Sequence, residues 1–273
     1  GGRFDRMDVH DLGEGEPEVA VVGAIHGDEP CGARAVRRLL DADPDVERPV
    51  RLVVANEAAL DAGVRYLDAD LNRSFPGDPD AAAHEERLAA ELIDALAGCS
   101  TLAIHSTQSY AEPFAVVDSM DEVARAVAPH LPVDAVIQTD AFTEGRLIEH
   151  PHTLEVEAGI QGSESAADNA YWLARAFLAA TGAISAPGAD DVIDAGGRED
   201  VSVFRLRERI PKPEAEAYEV FARNFERVDA GERFAAADGE PLLADEPFYP
   251  VLLSSNGYRD QFGYVADRVG TLE

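Results

Sequence analysis

The sequence predicts an α/β fold followed by a smaller, mainly β region. Apolar runs rich in β-branched residues alternate with helical segments through residue 185, which is typical of a sheet covered by helices. The composition changes at Ala186-Pro187-Gly188, and the runs that follow are short and strand-like. We therefore divide the chain into a domain of residues 1–187 and a smaller domain of residues 188–273.

Periodicity and turn residues give the individual elements. Residues 1–17 form an irregular or edge-strand lead-in, and residues 56–62 form a short helix or a loop. The predicted strands cover 18–25, 50–55, 101–104, 114–117, 135–138 and 152–159, and then 201–207, 218–228, 234–236 and 248–253. The predicted helices cover 30–42, 84–96, 122–128 and 166–181.

The charge excludes two classes of partner. The 273 residues include 53 acidic and 23 basic side chains, for a net charge of −30. Such a surface repels nucleic acid and anionic membranes, and it indicates adaptation to the salt-rich cytoplasm of an extreme halophile. The sequence opens with no signal peptide and contains no membrane-length apolar run, so we expect a cytoplasmic protein. Its two cysteines make no disulfide framework. The oligomeric state stays open, and a homo-oligomer is one alternative.

The first candidate site lies where the strand of residues 18–25 ends. His26 follows that strand, Gly27 permits a sharp turn, and Pro30 suits the first turn of the next helix. Glu29 lies three residues from His26 across this turn, and an imidazole and a carboxylate so close can occupy two positions around a zinc ion. The alternative is a helix-capping acid beside an ordinary turn histidine.

Three further stretches carry chemistry. Residues 65–78 hold two arginines, an asparagine and a Pro-Gly turn, which fits either a surface loop with salt bridges or a carboxylate site. His105 again follows a strand. Glu155 and Glu157 are two residues apart and therefore share one face of a predicted strand. If this strand is central in the sheet, both side chains point at a cation or a reacting group.

Taken in order, these stretches resemble the succinylglutamate desuccinylase/aspartoacylase family, a branch of the zinc carboxypeptidase superfamily. The C-terminal part adds to the resemblance, which implies a zinc-carboxypeptidase-like mixed sheet flanked by helices and a small β domain that closes over the active site. The motifs are His26-x-x-Glu29, Asp70-Leu71-Asn72-Arg73, His105, Thr153-Leu154-Glu155-Val156, Tyr249-Pro250-Val251 and Asn256-Gly257-Tyr258.

The resemblance implies a role for each matching residue. It makes His26, Glu29 and His105 the ligands of one zinc ion per chain, with a fourth position left for water. Glu155 is then the general base and Arg65 faces the carbonyl oxygen. The substrate is bound by Asn72 and Arg73, which hold a carboxylate, by Tyr258 from the C-terminal domain, and by Arg146, which reads a side-chain carboxylate.

These roles imply hydrolysis of a small N-acyl amino acid, such as N-acetyl-aspartate or N-succinyl-glutamate, by a zinc-activated water. Two departures from the family pattern stand out. The acid that commonly lies two residues before the distal histidine is Ala103 here. The family often runs from the base motif directly to glycine, whereas here Glu157 intervenes and becomes a rival for the base.

Two other functions remain open at this stage. A metallocarboxypeptidase that trims peptides would use the same ligands and base, although the small β domain favours small substrates. A metal-binding scaffold without catalysis is the second alternative, and Ala103 is its only support.

Overall fold

The computed structural model describes residues 7–140, 142, 145–185 and 201–272. The helices are α1 (Cys31–Ala42), α2 (Glu57–Ala62), α3 (His84–Ala95), α4 (Glu122–Val127) and α5 (Glu164–Ala180). The strands are β1 (Asp8–Leu12), β2 (Val19–Gly23), β3 (Val50–Val54), β4 (Ser100–Thr107), β5 (Phe114–Val117), β6 (Ala135–Gln138), β7 (Thr153–Ile160), β8 (Val201–Pro211), β9 (Tyr218–Val220), β10 (Arg233–Ala237), β11 (Glu240–Leu243), β12 (Tyr249–Val251) and β13 (Gln261–Leu272). Short 3₁₀ helices lie at Leu71–Arg73, Ala128–His130 and Leu147–Glu149.

Ten of these strands form one mixed sheet in the order β1-β3-β2-β4-β7-β5-β6-β8-β13-β12. Strands β3, β2, β4 and β7 are parallel neighbours, and β5 pairs antiparallel to β7. Because parallel strands end at the same edge, the turn after β2 lies beside the last residues of β4, where His105 pairs with Glu157 of β7. This edge is where the sequence predicts the site, and the predicted α/β fold is confirmed.

Apolar residues are buried on both faces of the sheet. Helices α1, α4 and α5 cover one face, where Leu39 and Phe177 are fully enclosed. Helix α3 covers the other face through Leu88 and Leu92. Burying one such side chain typically contributes about 1.5–3 kcal/mol, so the two layers hold the sheet edge in place. None of the described helices combines the length and apolar character needed to cross a bilayer.

The C-terminal region is mainly β, as predicted, but most of it extends the main sheet. Strand β8 pairs parallel to β6, and β13 and β12 follow it antiparallel. Only β9, β10 and β11 form a separate small sheet. The predicted boundary at residue 187 lies outside the described residues, so the division into two domains stays a prediction.

Most predicted elements match the structure to within a few residues. The strand predicted over 218–228 is wrong beyond Val220, where β9 ends, apart from an isolated bridge between Val228 and Phe248. The sequence analysis also missed β11 and β13. Glycine and charged residues interrupt the apolar pattern of β13, and its pairing with β8 shifts register three times.

Candidate active site

A tight turn after β2 brings His26 and Glu29 together. The backbone N–H of Glu29 donates to the carbonyl oxygen of His26 over 3.2 Å, and Gly27 donates to the carbonyl oxygen of Arg65 over 3.1 Å. A Cβ on Gly27 would lie 2.1 Å from the carbonyl carbon of Ala59 in α2. The turn therefore requires glycine at this position because the backbone of α2 fills the space of a side chain.

We expect Gly27→Ala to lower the free energy of unfolding by about 1–3 kcal/mol, because backbone atoms must move to admit the methyl group. The shift also displaces His26, so affinity for a metal ion should fall. Urea denaturation and metal titration measure the two effects. Gly270→Ala is the matched control, since a Cβ there meets no atom within 4 Å. Equal stability of the two variants would contradict the packing role of Gly27.

Three buried side chains form a group that can hold a metal ion. His26, Glu29 and His105 are 3%, 4% and 4% exposed, and one ligand atom from each lies within 4.8 Å of the others. Glu29 Oε1 is 2.9 Å from His26 Nδ1, and Glu29 Oε2 is 3.1 Å from His105 Nδ1. The backbone N–H of Ser106 also donates to Glu29 Oε2 over 3.1 Å. Two imidazoles and one carboxylate are a donor set that suits a catalytic zinc ion.

Asp70 lies on the far side of the His26 ring. Its Oδ1 is 2.9 Å from His26 Nε2, so His26 lies between two carboxylates. Burial alone lowers the pKa of His26, but Glu29 and Asp70 together raise it to about 9. A hydrogen bond from the second ring nitrogen to a carboxylate is the usual support of a metal-binding histidine.

The donor set also leaves one nitrogen unsatisfied. His105 Nε2 is buried and has no hydrogen-bond partner among the described residues. Such buried polar atoms are rare in folded proteins and often mark a bound ion, water or ligand. The negative carboxylates around His26 and the unsatisfied His105 nitrogen both fit a bound cation.

The loop of residues 65–73 forms one wall of the site. Arg65 donates from Nη1 to Glu29 Oε1 over 3.1 Å and from Nε to Asp70 Oδ2 over 3.2 Å. The backbone N–H of Asn72 donates to Asp70 Oδ1 over 3.0 Å. Asp70 therefore ties the loop to the turn of His26, and this holds Arg65 and Asn72 at the edge of the cleft.

Glu85 anchors the same loop from inside the protein. Its side chain is fully buried at the start of α3 and accepts hydrogen bonds from the backbone N–H groups of Leu67, Asp68 and Ala69 over 2.6, 3.0 and 3.0 Å. Asn56 donates a fourth hydrogen bond over 3.2 Å. Burial raises the pKa of Glu85, but these donors outweigh burial and lower it. An ionised, buried carboxylate thus fixes the backbone that precedes Asp70.

Glu155 is a buried carboxylate at the back of the cleft. Asn72 Nδ2 donates to its Oε1 over 3.1 Å, Arg146 donates to its Oε2, and His105 Nε2 lies 3.8 Å from Oε1. Burial raises the pKa of Glu155, whereas the positive charge of Arg146, followed by His105 and the Asn72 hydrogen bond, outweighs burial and lowers it. Glu155 is therefore ionised at neutral pH and adjoins the group that can hold a metal.

Glu157 lies two residues along the same strand and lines the cleft directly. Its Oε2 is buried without a hydrogen-bond partner in the part of the chain that the structure describes. Burial and the nearby carboxylates of Glu29 and Glu155 raise the pKa of Glu157 to about 7. The two rivals for the base thus differ, since Glu155 is paired and ionised, while Glu157 has one oxygen without a partner among the described residues and a pKa near neutrality.

The mouth of the cleft is formed by the loop that carries Arg73 and by a loop of the C-terminal region. Arg73 is exposed there, donates to the carbonyl oxygen of Asn72 over 2.6 Å, and pairs with no carboxylate among the described residues. Tyr258 enters from the C-terminal region, and Lys212 Nζ holds that segment by donating to the carbonyl oxygens of Ser255 and Tyr258 over 2.8 and 2.6 Å. The C-terminal region therefore contributes to the wall of the cleft.

The structure brings all nine predicted site residues to one cleft. Eight of them line it, and Glu155 adjoins three of the eight, namely Asn72, Arg146 and His105; their roles stay predictions. The eight are His26, Glu29, Arg65, Asn72, Arg73, His105, Arg146 and Tyr258. Arg146 contacts Glu155 instead of standing free for a substrate.

Sequence reasoning assigned no role to Asp70, Glu85 or Lys212. Asp70 stood within a quoted motif, and Lys212 is the only lysine of the chain, so two of the three carried a signal. Ala103 is buried in the core, and it pairs with Glu155 of the neighbouring strand. An alanine at this position provides no carboxylate that could support His105. In its place, Asp70 supports the other histidine of the group.

Comparison with known proteins agrees with this architecture. Residues 15–141 match the family model of the succinylglutamate desuccinylase/aspartoacylase catalytic domain. An N-acyl-aromatic-L-amino acid amidohydrolase (carboxylate-forming) of Mus musculus is 46% identical over 67 residues, which are 23% of this chain and 21% of that protein. The matches to such curated relatives span only about a fifth of their length.

Two solved structures share the fold over nearly the whole chain. The succinylglutamate desuccinylase/aspartoacylase of Rhodobacter sphaeroides superposes with a TM-score of 0.75 at 21% identity, covering 96% of this chain and 89% of that one. Murine aminoacylase 3 superposes with a TM-score of 0.72 at 22% identity, covering 95% and 98%. The mixed sheet with helices on both faces and a small, mostly β C-terminal region is therefore the fold of these proteins.

Proposed function

We propose that this chain, of which residues 15–141 match the catalytic-domain model of the succinylglutamate desuccinylase/aspartoacylase family, is a zinc-dependent amidohydrolase that releases the acyl group of a small N-acyl amino acid. The observation that carries the proposal is the buried group of His26, Glu29 and His105 beside the ionised carboxylate of Glu155. A donor set for a metal, a base and an exposed guanidinium within one cleft are what hydrolysis of a substrate with a free carboxylate requires.

His26, Glu29 and His105 would hold one zinc ion per chain, and Asp70 would orient His26. When bound, zinc supplies a Lewis acid that activates water and polarises a carbonyl group. The chain's own contribution is to keep the two histidines and Glu29 buried, where their charges are little screened by solvent. Mutation of a supporting carboxylate such as Asp70 typically lowers metal affinity about 10–100-fold.

Arg73 and Asn72 bind the carboxylate of the amino-acid half of the substrate. Arg73 is free of carboxylate partners among the described residues, and a planar guanidinium binds a carboxylate through two parallel hydrogen bonds. Arg65 lies nearer the metal group through its contact with Glu29 and faces the oxygen of the amide carbonyl. It stabilises the negative charge that develops on that oxygen.

Glu155 moves the proton. It is ionised, so it accepts a proton from the attacking water and passes it to the departing amine. Asn72 links the two halves of the site, since its Nδ2 donates to Glu155 while its Oδ1 accepts from the backbone N–H of Leu147 over 2.9 Å. Asn72 therefore holds Glu155 in a fixed position for both proton transfers.

We expect Arg73→Ala to raise KM about 30–150-fold with a smaller change in kcat, because it removes a charge-assisted contact worth about 2–3 kcal/mol that substrate and transition state share. Steady-state kinetics on the best N-acyl amino acid measures this split. Arg34→Ala is the matched control, because Arg34 of α1 forms an exposed ion pair with Glu164 of α5. A loss of kcat at unchanged KM would contradict carboxylate binding by Arg73.

The function is tested by measuring release of free amino acids from a panel of N-acetyl and N-succinyl amino acids in molar KCl, with peptides of two to four residues in parallel. Turnover of N-acyl amino acids well above that of peptides supports the proposal. Faster release of C-terminal residues from peptides makes the protein a metallocarboxypeptidase. Bound zinc without turnover of any substrate makes it a non-catalytic scaffold.

A further inference from the structure

Two walls of the cleft come from distant parts of the chain. The β4 wall is the end of β4 and the loop after it, where Thr107, Gln108 and Ser109 line the cleft. The C-terminal wall is the segment after β12, which contributes Leu252 and Ser254. Contacts that join these two walls therefore set the width of the cleft between them.

One buried side chain joins the two walls. Asn224 lies between β9 and β10 and is 5% exposed. Its Nδ2 donates to the carbonyl oxygen of Ser109 over 2.8 Å and to that of Leu253 over 3.2 Å, and its Oδ1 accepts from the backbone N–H of Leu253 over 2.7 Å. A carboxamide has two N–H donors and one carbonyl oxygen, and all three are used here. A carboxylate of the same shape has no N–H to donate to the two carbonyl oxygens.

The C-terminal wall is strained where Asn224 binds it. Leu252 has a φ of 54°, in the left-handed region that residues with a side chain rarely adopt. A Cβ on Gly263 would lie 2.7 Å from the carbonyl oxygen of Leu252, so the backbone of β13 packs directly against this residue. Strained backbone persists only where its surroundings hold it firmly, and it concentrates at sites that bind ligands. Asn224 supplies part of that hold through both backbone groups of Leu253.

The residue after Asn224 fixes the position of the carboxamide. Phe225 packs into an apolar cluster beneath the C-terminal region. Its ring centroid lies 5.0, 5.3 and 5.3 Å from those of Tyr110, Phe114 and Phe204. Asn224 is therefore held by packing that is independent of its own hydrogen bonds, and it can hold both walls in place.

From these contacts we propose that Asn224 is a positioning residue of the cleft: its carboxamide locks the β4 wall to the strained C-terminal wall and so fixes the width of the cleft that the substrate occupies. The inference rests on the proposed function, which supplies the substrate whose binding is measured. Asn224 acts through the backbone of Ser109 and Leu253, and its hydrogen bonds reach neither Glu155 nor the group that can hold the metal.

Asn224→Asp and Asn224→Ala test the inference in steady-state kinetics of the zinc-loaded protein on the best N-acyl amino acid. Both variants are expected to raise KM about tenfold, since both remove the N–H donors that join the walls. The value of kcat is expected to change less, because the groups that transfer the proton stay in place. Asn169→Ala is the matched control, because it removes a carboxamide that joins α5 to the carbonyl oxygen of Ala158 over 2.9 Å. This control should leave KM as in the wild type.

Unchanged KM in both Asn224 variants overturns the inference. A loss of kcat at unchanged KM overturns it too, as does an equal rise of KM in Asn169→Ala, which would make the effect one of stability alone.

Hydrogen exchange followed by mass spectrometry gives a readout that does not depend on turnover. We expect faster exchange in the peptides of both walls, residues 107–110 and 252–258, in the two Asn224 variants, and in neither wall in Asn169→Ala. If the wild type hydrolyses no N-acyl amino acid, the proposed function fails, while this exchange pattern still supports the role of Asn224. Unchanged exchange, or faster exchange in one wall only, overturns that role.

Discussion

Replacing Glu155 by glutamine is expected to lower kcat by about 10²–10⁴-fold, which is the usual range for removal of a general base. Glutamine keeps the shape of the side chain and can still accept the hydrogen bond from Asn72, but it cannot take a proton. The substitution also leaves Arg146 as a buried cation without its carboxylate, so some loss of stability accompanies the kinetic effect. Initial rates, zinc content and urea denaturation of the same preparation separate the two effects.

Glu157→Gln is the control that matches this variant, because both residues are carboxylates on the same face of β7. Each of the two carboxyl groups meets a different requirement for a general base. Glu155 adjoins His105 and is ionised, whereas Glu157 has the pKa nearer neutrality, at about 7. A loss of kcat on every substrate in Glu157→Gln, with a mild effect in Glu155→Gln, would exchange their roles and contradict the mechanism proposed above.

Loss of the Glu85 side chain is expected to have the next largest effect. Glu85→Ala removes four hydrogen bonds, three of them to consecutive backbone N–H groups of the loop that carries Asp70, Asn72 and Arg73. We expect the free energy of unfolding to fall by about 3 kcal/mol or more, since buried donors lose their acceptor. We also expect kcat/KM to fall about 100-fold, because displacing site residues by about 1 Å costs this much.

The control for Glu85 is its neighbour in α3. Glu86→Ala removes an exposed carboxylate from the same helical turn and should change neither quantity appreciably. Urea denaturation in molar KCl measures the stability of both variants, and steady-state kinetics measures the loop effect. Wild-type kcat/KM in Glu85→Ala would show that the loop keeps its position without this anchor.

Glu85 also predicts how stability depends on pH. Its pKa in the folded protein is lower than the ordinary value of 4.5, because three backbone N–H groups and Asn56 stabilise the ionised form more than burial destabilises it. A group whose pKa is lowered by folding contributes stability above its unfolded pKa and loses that contribution as pH falls through the folded pKa. The wild type should therefore lose stability below about pH 4.5 more steeply than Glu85→Gln, and parallel curves would contradict this.

Local patterns in the sequence located the elements that carry His26, Glu29 and His105. His26 lies just beyond β2 and His105 lies near the end of β4, and parallel strands place such residues at one edge of a sheet. That rule required only strand assignments, which the β-branched runs near both histidines made clear. The pairing of the two strands as neighbours, β2 beside β4, then brought His26 within reach of His105.

Contacts between distant residues could not be predicted in the same way. Glu85 looks like any acidic residue in the first turn of a helix, a position that favours acids whether or not they bind anything. Its partners lie 16 to 18 residues away in an irregular loop, and no periodicity indicates their position. The support of His26 by Asp70 spans 44 residues and depends on the same loop. These contacts arise from the way the loop packs on α3, which only the structure reveals.

The C-terminal region shows the other limit of sequence patterns. Short strand-like runs after residue 200 predicted the β content of this region but not which sheet its strands join, and β8 continues the main sheet beside β6. The sequence of a strand indicates that the strand forms, but it does not indicate which other strand will pair with it or in which sheet. Strand β13 was missed because residues 267–272, its second half, are mostly exposed. The alternation of buried and exposed side chains that identifies a strand is therefore absent there.

The most direct test of the account is reversible dependence of N-acyl amino acid hydrolysis on zinc. The protein is dialysed against a chelator in molar KCl, titrated with zinc, and assayed at each step for release of the free amino acid, with His105→Ala in parallel. We expect activity to vanish with the metal, to return in proportion to zinc up to one ion per chain, and to stay absent in the variant. Full activity of the metal-free protein, or one bound zinc without hydrolysis of any N-acyl amino acid, would contradict the account.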